Sequence, residues 1–66
     1  MNTNKLQSIV KYYRNARQER NNASIKNDLT SVANWNDELN YWNTKLDEEM
    51  ENTGIELSVV SKMINA

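Results

Sequence analysis

The chain has no cysteine, histidine, proline or phenylalanine, and only one glycine. Without cysteine there is no disulfide framework, and without histidine or cysteine no zinc-type site and none of the usual nucleophile–base pairs. We therefore expect no metal, no cofactor and no enzymatic activity. With no proline, and glycine only at Gly54, little in the chain interrupts a helix. Apolar runs never approach the roughly 18 residues that span a bilayer, and Met1-Asn2-Thr3-Asn4 lacks the apolar core of a secretory signal. The expectation is a cytoplasmic protein without a membrane segment. At 66 residues it makes one small domain, in the size range where a single core is marginal.

What is present is unevenly spread. Up to Asn27 the charges are Lys5, Lys11, Arg14, Arg17, Arg20 and Lys26 against Glu19; from Asp28 onward Asp28, Asp37, Glu38, Asp47, Glu48, Glu49, Glu51 and Glu56 face Lys45 and Lys62. A basic and an acidic half attract each other within one chain or between two. Asparagine is abundant, which accompanies AT-rich coding and suggests a low-GC bacterium or a phage.

The most informative pattern is a unit repeated one heptad apart, Trp35-Asn36-Asp37-Glu38-Leu39 and Trp42-Asn43-Thr44-Lys45-Leu46. Large apolar groups at that period require a helix burying one seam against another. Ile25, Leu29, Val32, Trp35, Leu39, Trp42, Leu46 and Met50 continue the seam in three- and four-residue steps, over an arc of roughly 140°. Asn36 and Asn43 fall at its rim. Asp47-Glu48-Glu49-x-Glu51 reads as a solvated acidic face, since continuous helix lacks the geometry of a calcium loop.

Ahead of the seam, Leu6, Ile9, Val10, Tyr13 and Ala16 line one face of a first helix, and Asn21-Asn22 is the best break after it. Gly54 can take the left-handed conformation at a helix end, with Ile55 packing back on Met50 as in a Schellman stop. Leu57, Val60, Met63 and Ile64 then space a short amphipathic helix. The predicted fold is all-α: a helical hairpin with one long central helix and a short C-terminal helix, spanning about 4–20, 24–52 and 56–65. A first helix of about seventeen residues cannot cover a stripe on one of nearly thirty. The long seam therefore predicts assembly as a homodimer or higher homo-oligomeric bundle, with Ile25 to Met50 mediating self-association.

Lys11, Arg14, Arg17 and Arg20, with Tyr12 and Tyr13 among them, form a basic and aromatic cluster that either pairs with the acidic half or meets a partner or nucleic acid. The stretch Met50-Glu51-Asn52-Thr53-Gly54-Ile55-Glu56-Leu57-Ser58-Val59-Val60-Ser61-Lys62-Met63-Ile64-Asn65 resembles the turn and second helix of helix-turn-helix DNA readers. In that family a glycine followed by Ile or Val makes the turn, and a Val-Ser-Lys stretch lies on the recognition helix. The likeness implies base or phosphate contact by Lys62. The chain departs from the family where bulky Met50 replaces a small residue, and in the acidity of the preceding helix, which phosphates repel. The expected function is a small protein–protein interaction module, a regulator, inhibitor or assembly factor of phage or mobile-element origin, with a protein partner of unknown identity. The alternatives are a small helix-turn-helix-like DNA-binding regulator and a structural subunit of a larger particle.

Overall fold

A computed structural model describes residues 4–65. Among these it is about 89% helical and contains no strand. The elements are α1 (Asn4–Ile25), α2 (Leu29–Thr53) and α3 (Leu57–Ile64). No helix is long and apolar enough to cross a membrane among the described residues.

The first break falls later than the asparagine pair suggested. Asn21 and Asn22 are exposed, where asparagine costs a helix only a fraction of a kcal/mol. Buried Ala16 and Ala23 meanwhile hold the opposite face down. Two residues past the end of α1 stands Asn27, whose φ of 60° is the left-handed conformation that asparagine tolerates better than most residues. The Asn27 N–H donates to the Ser24 carbonyl at 3.0 Å, and the Asp28 N–H donates to the Ala23 carbonyl at 2.9 Å. That pair of bonds is a Schellman stop with asparagine in the glycine position. Asp28 then caps α2, its carboxylate accepting from the Ser31 N–H at 3.2 Å and the Ser31 hydroxyl at 2.7 Å. Ile25 thus closes α1 instead of opening α2.

The expectation of one long central helix is corrected by this boundary. α1 has 22 residues and α2 has 25, roughly 33 and 38 Å at 1.5 Å per residue. Nor is α2 the centre, for both α2 and α3 pack on α1. The core gathers Leu6, Ile9 and Val10 of α1, Leu46 of α2 and Val60 of α3. Tyr13, Trp42, Met50, Ile55, Met63 and Ile64 pack around it.

Gly54 ends α2 at φ 73°, with its N–H donating to the Met50 carbonyl at 2.8 Å. The next N–H, that of Ile55, turns to the Thr53 hydroxyl at 3.4 Å. The stop is therefore the single-bond left-handed motif instead of the full Schellman pair. α3 has no side-chain cap at its start. Its far end is held by Arg17 of α1, whose Nη2 donates to the Ile64 carbonyl at 3.1 Å. Nη1 of the same guanidinium reaches the Asn65 side-chain oxygen at 3.5 Å. A cation at a helix C-terminus also suits the macrodipole.

Candidate interaction surface

Two heptad lines run along α2, and they end in different surroundings. The line Val32, Leu39, Leu46 points into the protomer: Leu39 and Leu46 are buried and Val32 is half-buried. The line Trp35, Trp42, Glu49 runs along the flank. Both tryptophans are half-buried, and Glu49 is only 8% exposed, with Lys5 Nζ 3.5 Å from its carboxylate. Glu49 was read from the sequence as part of a solvated acidic face. It instead takes the place one heptad after Trp42, and that spacing was the signal for its burial. Its neighbours Asp47, Glu48 and Glu51 are exposed as expected.

Trp42 is the centre of an aromatic cluster. Tyr12 of α1 stacks on it, with ring centroids 4.8 Å apart and planes at 18°. Tyr41 meets it edge-on at 4.8 Å and 82°. Its indole N–H donates to a Glu38 carboxylate oxygen at 3.1 Å. Lys45 lies 5.5 Å from the Tyr41 ring centre, a cation–π distance, and 3.5 Å from the Glu48 carboxylate. Tyr12 and Tyr41 remain 51% and 53% exposed. Tyr12 is five residues before Arg17, hence roughly 140° round α1 from the side chain that grips α3. The aromatic cluster consequently looks away from α3. Trp35 sits further along, where Glu19, Asn22, Ala23 and Ser31 form a shallow hollow beside it.

The remaining members of the expected seam divide. Met50 is half-buried against the core, while Ile25 and Leu29 are 83% and 74% exposed at the turn between α1 and α2. Asn36 and Asn43 are exposed at the rim, beside Tyr13 and Arg20. Sequence reasoning passed over Tyr41 and Glu38. The signal for both was their place beside Trp42 and one turn before it, respectively.

The basic cluster also comes apart. Tyr12 belongs to the aromatic group, Arg17 is committed to α3, and Arg20 donates to the Asn21 side-chain oxygen at 3.3 Å. Lys11 and Arg14 point the other way, into an open groove of about 540 Å³ with Gln7, Gln18 and Met63. Lys62 is exposed on α3 together with Leu57, Ser58 and Val59. Asp28 titrates below the ordinary carboxylate range because the Ser31 hydroxyl and backbone N–H both donate to its charged form. Among the described residues no group of acidic, histidine or cysteine side chains could hold a metal ion.

Comparison with protein-family models, curated proteins and solved structures finds no match to this chain.

Proposed function

We propose that this chain is a small, non-enzymatic interaction module whose α1–α2 helical hairpin self-associates through the face bearing Tyr12, Trp35 and Trp42. The observation that carries this reading is the aromatic cluster on the side away from α3, with Tyr12 and Tyr41 each about half exposed. α3 packs on one side of α1, and away from it the helix pair presents indole and phenol rings flanked by Lys5, Glu38, Lys45 and Glu49. Aromatic centres rimmed by charges of both signs are what a self-complementary, two-fold interface uses. Leu39 and Leu46 serve the protomer's own core, so the interface is the flank and not the whole repeat. A regulator, inhibitor or assembly factor built this way would offer its charged outer faces to a further partner.

Sedimentation velocity from about 5 to 500 µM tests this. The expected result is a monomer–dimer equilibrium that Tyr12→Glu with Tyr41→Glu moves wholly to monomer, with helix content kept. A monomer at every concentration overturns the reading, and very large assemblies would favour a particle subunit instead.

A further inference from the structure

The outward face of α1 is mostly amides and cations. Gln7, Lys11, Arg14, Asn15, Gln18 and Asn22 are all exposed and lie on one arc of the helix. No carboxylate falls within that arc, although α2 turns Asp37, Asp47, Glu48 and Glu51 to solvent; exposed Ile25 closes its C-terminal end, and Val10 and Met63 border it. Gln7, Lys11, Arg14 and Gln18 follow the i, i+4, i+7, i+11 spacing of a single stripe roughly 16 Å long.

We propose that this stripe is a contact surface for duplex DNA. Amides are the side chains that pair two-point with adenine edges, while Lys and Arg pair with guanine or with phosphate. An acidic protein partner would call for cations but gives no reason for a row of neutral amides between them. The stripe covers about five base pairs at 3.4 Å each, and the major groove admits a helix. An A-form RNA duplex does not, its deep groove being too narrow. Charge complementarity sets the approach: α1 carries Lys5, Lys11, Arg14, Arg17 and Arg20 against Glu19, whereas α2 carries Asp37, Glu38, Asp47, Glu48, Glu49 and Glu51 against Lys45. Phosphates attract the first helix and repel the second, so the molecule meets the duplex with one side only. This surface keeps Lys11 and Arg14 of the sequence-derived basic cluster without Tyr12, Arg17 and Arg20, and it is separate from the helix-turn-helix likeness on α3, where Lys62 is the outward cation.

Fluorescence anisotropy with a labelled duplex of about 20 base pairs, at 50 and 200 mM salt, tests the proposal on the full chain. Two phosphate contacts, each contributing a slope of about −0.9, predict roughly tenfold weaker binding at the higher salt. Lys11→Glu with Arg14→Glu should weaken binding at least about tenfold. Lys62→Glu on α3, outside both the stripe and the aromatic face, should leave affinity within about threefold. If the double variant fails to fold by circular dichroism, Lys11→Ala takes its place and should lower the salt slope by about one. Absence of binding by the unaltered chain at about 50 µM protein and 50 mM salt overturns the proposal. So does an equal loss in Lys62→Glu, or tighter retention of polyglutamate than of DNA. Repeating the titration on the Tyr12→Glu, Tyr41→Glu chain, whose aromatic faces do not pair, makes self-association and DNA contact fail separately.

Discussion

Trp42→Ala removes the ring on which Tyr12 stacks, the edge partner of Tyr41 and the donor to Glu38. Tryptophan offers up to about 250 Å², and with at least roughly two thirds of it covered the lost burial is on the order of 4 kcal/mol at 25 cal/mol per Å². The Tyr12 stack adds about 0.5–1.5 kcal/mol, while closing of the gap and the retained Cβ give some of this back. The expected cost to the protomer is roughly 2–4 kcal/mol, a large share of what a chain of this size can hold. Urea titration followed by helix circular dichroism measures it, with Trp42→Phe as companion. Phenylalanine keeps a stacking ring and loses the Glu38 bond, so its cost should be near 1 kcal/mol. Repeating both titrations over a hundredfold range of protein concentration separates fold from assembly. If the aromatic face joins two copies, the midpoint of the unaltered chain rises with concentration, and that dependence vanishes in Trp42→Ala. A cost below about 1 kcal/mol for Trp42→Ala would refute the reasoning, because the stacked arrangement would then contribute nothing beyond an exposed residue.

Arg17→Ala should loosen α3 selectively: amide exchange quickens over Leu57–Ile64 while α2 stays protected, and stability falls by about 1 kcal/mol. Gly54→Ala should cost about 1 kcal/mol from backbone strain alone, since φ is 73° and nothing lies within 4 Å of where a Cβ would stand. Asn27→Gly should stabilise by several tenths of a kcal/mol and Asn27→Val should destabilise, both read by thermal melts, because the position holds φ 60°. Asp28 gives a pH test. Its folded-state titration lies below the unfolded value near 3.8, so its contribution is complete above that pH and is lost as pH falls through the lower, folded value. Asp28→Asn keeps a capping oxygen without the titration and should flatten that part of the acid melting profile; identical profiles for the two chains would contradict the assignment.

Helical class was legible because nothing in the chain competes with it: there is no proline, one glycine, and apolar spacing at the helical period throughout. Gly54 was equally readable, because a lone glycine after a periodic run has few other uses. The first break was not, for Asn21-Asn22 and Asn27 are the same residue type and differ only in what the opposite face buries. Ala23 on that face carries the helix past the pair. A capping aspartate followed three residues later by Ser31 was the better local sign, since Asp28 can start a helix only if another has ended before it.

Moving that one boundary by a few residues changes the case for self-association. A first helix of about seventeen residues against one of nearly thirty would leave a long seam uncovered. Helices of 22 and 25 residues remove that mismatch, and Leu39 and Leu46 are covered within the protomer. What remains exposed is defined by rotation about the helix axes, not by length. α3 takes one flat side of the pair through Val60 and Arg17, and Tyr12, Tyr41 and Trp42 are left on the other. Heptad spacing alone could not separate the buried line from the flanking one, because a sequence gives the angle between Leu39 and Trp42 but not the direction from which α1 approaches. Tyr12 supplies that direction. Its ring stacks on Trp42, so the flanking line becomes a surface shared by two helices, and a copy docking there would bury side chains of both.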